Sequence, residues 1–365
     1  MKAIVSGGGS GGHIFPAVAI ANAIKKRWPE ADILFVGAEG RMEMEKVPAA
    51  GYEIKGLPIA GLQRKLTPAN IVKNLQLPFK MLKSNRMVKR ILRQFQPDIV
   101  VGVGGFASEP TLKAASGMGF PTLLQEQNSY AGLTNKMLAK NARTICVAYD
   151  GMERFFPKDK IVFTGNPVRA AIEQMSCTRE EGLAHFGLNP DMPVVLVVGG
   201  SLGARSLNRM MTSNLGTIAG NQIQIVWQTG RWGYAEAAKA ADGVANVKVH
   251  EFIQRMDLAY AAADVIISRA GAIAISELCI VGKPVVLVPS PNVAEDHQTK
   301  NAMALVNKGA ALMVPDAECE AKGIATVKEL LADKERMAAM SEAIKRLAVR
   351  GAAEKIVDEI EKIVK

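Results

Sequence analysis

The sequence predicts an α/β fold built from two parallel-sheet halves. Short apolar runs without alternation, such as Ala3-Ile4-Val5 and Val194-Val195-Leu196-Val197-Val198, read as strands covered on both faces. Each half then opens with a strand running into a glycine turn. The turns are Gly7-Gly8-Gly9-Ser10-Gly11-Gly12-His13 and Gly199-Gly200-Ser201-Leu202-Gly203-Ala204-Arg205. A buried strand, a tight turn and a helix start aim backbone N–H groups and a positive dipole end at one spot, which suits a phosphate or another anion.

Taken in order, the first half reads as strands at 3–5, 32–36, 98–103, 122–125, 144–148 and 161–164, with helices over 16–26, 42–50 and 110–117. The second half repeats the scheme, with strands at 194–198, 224–228, 247–251, 265–268 and 284–288 and helices over 206–215, 256–263 and 273–281. Gly165-Asn166-Pro167-Val168 punctuates the pattern and sets the expected domains at 1–166 and 167–345. The tail carries alternating charge and reads as helix, and its last part, about 346–365, is a candidate to pack back on the first domain.

The chain has 365 residues, 48 % of them apolar, enough for two cores. No run approaches the roughly 18 apolar residues of a membrane span. The sequence enters a strand at once, so no signal peptide is expected. Cys146, Cys177, Cys279 and Cys319 lack metal or disulfide spacing and read as reduced thiols. The expectation is a soluble cytoplasmic protein.

The net charge of +10 comes from one segment. Between Glu53 and Asp98 there is no acid, yet Lys55, Arg64, Lys65, Lys73, Lys80, Lys83, Arg86, Lys89, Arg90 and Arg93 all fall there. Ile71, Leu75, Phe79 and Leu82 are interleaved with them. Such a mixture suits an anionic bilayer surface, and equally an ordinary solvated helix face. Nucleic acid fits less well, because Phe79 and Phe95 are too few for a stacking platform.

The first turn matches G-x-G-x-x-G through Gly7, Gly9 and Gly12, a weak dinucleotide signal whose acidic partner, Glu39, sits in a glycine-flanked loop. His13 stands at the positive end of a helix, where it either caps the helix or serves as a general base. Ser268-Arg269-Ala270-Gly271 leads into a second helix start, and Glu277 lies a little over a turn further on. A carboxylate there can accept from adjacent ribose hydroxyls, or simply favour the dipole. Glu295-Asp296-His297 resembles a ligand set, but adjacent residues do not converge on one ion, and no Asp-x-Asp pair occurs. No metal and no cofactor are expected.

Together, residues 7–13, Glu126-Gln127-Asn128, Gly165-Asn166-Pro167-Val168-Arg169, residues 199–205 and Ser268-Arg269-Ala270-Gly271 resemble the motifs of the MurG family, in matching order from residue 3 to about 310. The resemblance implies a GT-B fold, two Rossmann-like domains facing each other across a cleft. It implies UDP-N-acetylglucosamine as donor, an undecaprenyl-diphosphate-linked muramoyl-pentapeptide as acceptor, and inversion at the sugar. By the same resemblance Ser201 and the helix start Ala272, Ile273 and Ala274 contact the diphosphate, and Ile275 and Ser276 are substrate-binding. Glu277 holds the ribose, Ile253 presents its backbone to uracil with Arg169 nearby, and Gln298 contacts the GlcNAc hydroxyls. Ser10, Gly11, Gly12 and Asn128 line the acceptor side, with His13 as candidate base and Glu126 as the second candidate. A lipid-linked acceptor favours membrane docking through Ile71, Leu75, Phe79, Lys80, Leu82, Lys83 and Arg86, and a peripheral place on the cytoplasmic membrane face beside other cell-wall synthesis proteins. The sequence departs from the family pattern at Leu202 and His297, where glutamine is frequent. The competing classes are an NAD-linked oxidoreductase, a sugar-nucleotide epimerase of the same fold and a non-enzymatic headgroup binder.

Overall fold

The computed structural model describes residues 1–9, 11–59, 77–200 and 202–365. The chain divides into two units, Met1–Val168 with Gly351–Lys365, and Arg169–Arg350. In the first unit the strands are β1 (Lys2–Ser6), β2 (Asp32–Ala38), β3 (Glu53–Leu57), β4 (Ile99–Gly102), β5 (Thr122–Glu126), β6 (Thr144–Val147) and β7 (Ile161–Phe163). They form one parallel sheet in the order β3-β2-β1-β4-β5-β6-β7. The second unit carries β8 (Val194–Val198), β9 (Gln224–Gln228), β10 (Val247–His250), β11 (Val265–Ser268), β12 (Val285–Leu287) and β13 (Leu312–Met313). Their order, again all parallel, is β10-β9-β8-β11-β12-β13.

Both sheets reverse their winding once, between β1 and β4 and between β8 and β11. In open α/β sheets ligands bind at that reversal, off the carboxyl ends of the strands. The two glycine turns leave β1 and β8, so each stands at its unit's reversal point.

Burial explains why the strands read as runs. On β1, Ala3 and Val5 join Phe35, Ile99 and Val101 on one face, while Ile4 joins Leu34, Val36 and Val100 on the other. Sequence pattern missed two edge strands. On β3, Glu53 and Lys55 lie on one exposed face and pair at 2.5 Å, a charged edge that discourages pairing with another chain. β13 is only two residues long and offers no pattern.

The last helix, Ala352–Val364, starts at Gly351, whose φ of 68° marks the left-handed region. Its Ile356, Val357 and Ile360 are buried in the layer formed by Ile14, Ile20 and Ile24 of the helix Gly11–Arg27. Lys26–Glu354 at 3.3 Å and Arg27–Asp358 at 2.6 Å line the rim, with Arg27 also on Glu361. The unit limits, Val168 and Arg350, fall slightly beyond those read from sequence, and Asn166 is bonded to Gln125 and Gln127 within the first unit. In the second unit, Arg350 donates to the Glu173 carbonyl at 2.6 Å. Ending the chain at Arg350 should strip three buried aliphatic side chains from the first unit. At about 1.5–3 kcal/mol each, the loss is on the order of 5 kcal/mol, read as a lower urea midpoint. An unchanged midpoint would mean that the helix adds nothing to stability.

Candidate active site

The first glycine turn is held from inside. Glu43, fully buried, accepts from Gly9 N at 3.0 Å and from Ala38 N at 3.1 Å. A carboxylate already fills that part of the cradle and would repel a phosphate placed on Gly9. The helix starts at Gly11 rather than Pro16, so the N–H groups of Gly11 and Gly12 fall in its first turn, outside the helical ladder. His13 is half-buried, with its ring against the turn that follows β4. Gly105 has φ +80°, and a Cβ there would lie 3.2 Å from His13 Cδ2 and collide with the Gly8 carbonyl, so only glycine fits.

The loop after β5 completes this corner. Glu126 is 1 % exposed. It accepts from Asn128 N at 3.1 Å, Asn128 Nδ2 at 3.2 Å, Gly132 N at 3.0 Å and Asn135 Nδ2 at 2.9 Å. Gln127 Oε1 lies 3.1 Å from His13 Nδ1.

In the second unit β8 and β11 are paired so that Val198 stands opposite Ser268. Two helix starts therefore leave the sheet side by side. One is Arg205–Ser213, after Gly200 and Gly203 (both φ 85°). The other is Ala272–Val281, after Gly271. Neither N-cap, Ala204 or Gly271, gives a side-chain cap. Their leading N–H groups and dipoles converge on the mouth of the reversal point. The turn is seated by a close approach: a Cβ on Gly203 would collide with the Thr229 carbonyl.

Glu277 is 3 % exposed and forms a bidentate pair with Arg169, Oε1 to Nε at 2.6 Å and Oε2 to Nη2 at 2.5 Å. Burial works against the arginine's charge, but the Glu277 hydrogen bonds and charge outweigh it and lift its pKa above the ordinary value. The Tyr260 hydroxyl reaches Glu277 Oε2 at 3.4 Å, and burial first, then the Glu277 charge, push that hydroxyl up, so it stays a donor.

Residues 3–147 match the Glycosyltransferase family 28 N-terminal domain, and residues 194–356 match the C-terminal domain. A protein of Parabacteroides distasonis is 56 % identical over all of this chain and 98 % of its own length. One of Flavobacterium psychrophilum is 51 % identical over 100 % of this chain and 98 % of its own length. Both are named UDP-N-acetylglucosamine–N-acetylmuramyl-(pentapeptide) pyrophosphoryl-undecaprenol N-acetylglucosamine transferase. The crystal structure of Acinetobacter baumannii MurG matches with a TM-score of 0.78 and 29 % identity, over 99 % of both chains. The chain belongs to the MurG family of glycosyltransferase family 28. Its two parallel-sheet units are those of the GT-B fold. A UDP-GlcNAc 2-epimerase from Neisseria meningitidis shares the architecture at a TM-score of 0.67 but only 16 % identity, over 99 % of this chain and 100 % of its own, which speaks to fold alone.

Within this MurG-family chain several site expectations change. Ile275 is 2 % exposed and its N–H goes to the Gly271 carbonyl, so it offers nothing to a diphosphate; Ala272, Ile273 and Ala274 keep their N–H groups outside the helical ladder. The Ser276 hydroxyl turns back to the Ala272 carbonyl at 3.0 Å. Arg169, expected beside uracil, is engaged with Glu277. Ile253 gives its N–H to Gln228 Oε1 at 2.9 Å, which leaves its carbonyl as the group to present. Gln298 accepts from Ser290 N at 2.8 Å through Oε1, so only its amide nitrogen is left to meet a ligand. It follows Glu295 and Asp296, both left-handed (φ 54° and 51°), a strained approach of the kind that marks ligand loops. Glu126 spends its lone pairs on four N–H donors and holds the 126–132 loop shut, a scaffold rather than a proton acceptor. Ser10, Ser201, Ile71 and Leu75 lie outside the described residues.

Sequence reasoning missed Glu43, which sat inside an expected helix with no pattern to single it out, and the task of Arg269. That side chain donates to the Val288 and Pro289 carbonyls, Asp316 Oδ1 and Ser206 Oγ, clamping the two helix starts to the end of β12. The basic segment continues as the helix Leu77–Phe95, buried at Ser84, Val88 and Leu92. Opposite them, at helical spacing, run Phe79, Leu82, Arg86, Arg90 and Arg93, with Phe79 76 % and Leu82 50 % exposed. Lys83 is exposed and Lys80 half-buried. No described helix is long and apolar enough to cross a membrane.

Proposed function

We propose that this chain transfers N-acetylglucosamine from UDP-N-acetylglucosamine to undecaprenyl-diphosphate-linked muramoyl-pentapeptide, the lipid I to lipid II step of peptidoglycan synthesis. The full-length similarity to transferases of that name carries the reading. The reaction is a direct displacement with inversion. The acceptor hydroxyl oxygen bonds to the anomeric carbon, the bond from that carbon to the donor's phosphate oxygen breaks, and its electron pair leaves with UDP. The hydroxyl proton goes to His13.

Charge developing on the leaving diphosphate is met by the N–H groups of Ala272, Ile273 and Ala274 and by the helix start at Arg205. These groups carry the neutralisation without a metal, in a chain with no Asp-x-Asp pair. Glu277 accepts from the ribose, the Ile253 carbonyl faces uracil, and the Gln298 amide donates to the sugar. Gly11, Gly12 and Asn128 stand on the acceptor side. A radiolabelled GlcNAc transfer assay with a lipid acceptor tests the whole reading. Labelled lipid product supports it. Absence of transfer, or conversion of UDP-GlcNAc without acceptor, overturns it.

The exposed face of Leu77–Phe95 docks on an anionic membrane and keeps the enzyme peripheral, at the face where its acceptor lies. An apolar first turn followed by arginines, with no acid on the helix, supports this. Replacing Lys80, Lys83 and Arg86 by glutamine removes about 1 kcal/mol of surface attraction per charge. Transfer in anionic vesicles should fall roughly tenfold or more while a soluble short-chain acceptor is used as before. Equal losses on both acceptors would refute docking.

A further inference from the structure

We propose that Gln127 is a positioning residue that holds His13 in the tautomer with hydrogen on Nδ1, leaving the lone pair that takes the acceptor proton on Nε2. The inference rests on the reading of His13 as the base. It follows from the polarity of groups that cannot be reversed. Gln127 is 1 % exposed, and its Nε2 donates to the Val103 carbonyl at 2.8 Å and the Gln125 carbonyl at 3.2 Å. Backbone carbonyls only accept, so the nitrogen end of this amide is fixed. Its oxygen end is therefore the one that meets His13, at 3.1 Å. An amide oxygen also only accepts, so Nδ1 must carry the proton.

Two further amides lock the arrangement. Gln127 Nε2 also contacts Gln125 Oε1. Gln125 Nε2 donates to Asn166 Oδ1 at 2.9 Å, and Asn166 Nδ2 donates to the Gln127 carbonyl at 3.0 Å. The ring closes through the Gln127 backbone carbonyl, and around it each amide nitrogen meets an oxygen. Turning Gln127 over would pair its NH2 with an Nδ1 lone pair but set its oxygen against the Val103 and Gln125 carbonyls, a buried polar mismatch. With the ring packed against Gly104 and Gly105, both tautomer and orientation are set before substrate arrives.

Nitrogen-15 NMR of histidine-labelled full-length protein tests this directly, since the chain has only four histidines and His13→Asn identifies the resonance. At a pH where His13 is neutral, Nδ1 should show the protonated and Nε2 the unprotonated type of shift. Gln127→Met keeps the volume but removes the acceptor. It should move the population toward the Nε2–H form and lower kcat by roughly 10- to 100-fold, with KM for UDP-GlcNAc within about twofold. A wild-type spectrum dominated by Nε2–H overturns the proposal, whether or not the variant folds. So does a Gln127→Met enzyme that keeps both tautomer and turnover. Failure of the base assignment reads differently: the tautomer responds as expected, yet His13→Ala still turns over normally.

Discussion

Alanine at position 13 should lower kcat for GlcNAc transfer about 10²- to 10⁴-fold and leave the KM for UDP-GlcNAc within about twofold of wild type. The split follows from where the groups sit. His13 belongs to the first unit, in the first turn of the helix Gly11–Arg27, while Glu277, Ile253, Gln298 and the Ala272 helix start all belong to the second. On the proposed mechanism, removing the imidazole deletes the proton acceptor and leaves the side chains of the second unit unchanged. Glu126 cannot take over without giving up the four hydrogen bonds that close its loop. Steady-state kinetics on lipid acceptor, with UDP affinity measured by calorimetry, separate the two effects. A fall of less than about tenfold would assign the proton to another group.

The fold was legible where burial is symmetric and illegible where it is not. Strands covered on both faces, such as β1 and β8, declare themselves as Val, Ile and Leu runs, and the glycine turns mark their ends. The edge strand β3 pairs along one side only, and its Glu53-Ile54-Lys55 alternation is too short to separate from loop. The candidate site divides in the same way. Turns that need glycine or a bare helix start were visible because the backbone restricts the residue type. What a buried polar side chain contacts was not visible. Glu43, Glu126, Gln127 and Arg269 are bonded to partners distant in sequence or to loop backbone, and local pattern carries no record of such pairings. Arg169 and Glu277 are 108 positions apart, and only the folded chain joins them.

That pair should show opposite rankings in stability and in donor affinity. The Glu277 side chain is 4 % exposed and the Arg169 side chain 40 %. Arg169→Ala strands a buried carboxylate, an error that costs about 3–5 kcal/mol when a charge is left without its partner. Glu277→Ala strands a guanidinium that can turn to water, so its stability loss should be smaller, about 1–2 kcal/mol, mostly from the vacated volume and the lost Tyr260 contact. For UDP-GlcNAc the order reverses. Losing a charged acceptor for ribose hydroxyls removes about 1.5–3 kcal/mol, a rise in Kd of roughly 10- to 100-fold, whereas Arg169→Ala leaves that acceptor in place. The two arginine nitrogens and the Tyr260 hydroxyl occupy three of the carboxylate's roughly four lone-pair directions, so one remains for a ribose hydroxyl. Because the residues share one interaction, the double variant should be more stable than Arg169→Ala alone. Urea midpoints and calorimetry with UDP on the three variants decide the matter. Equal stability losses for the two single variants would sink the asymmetry, and unchanged UDP binding by Glu277→Ala would take the ribose away from Glu277.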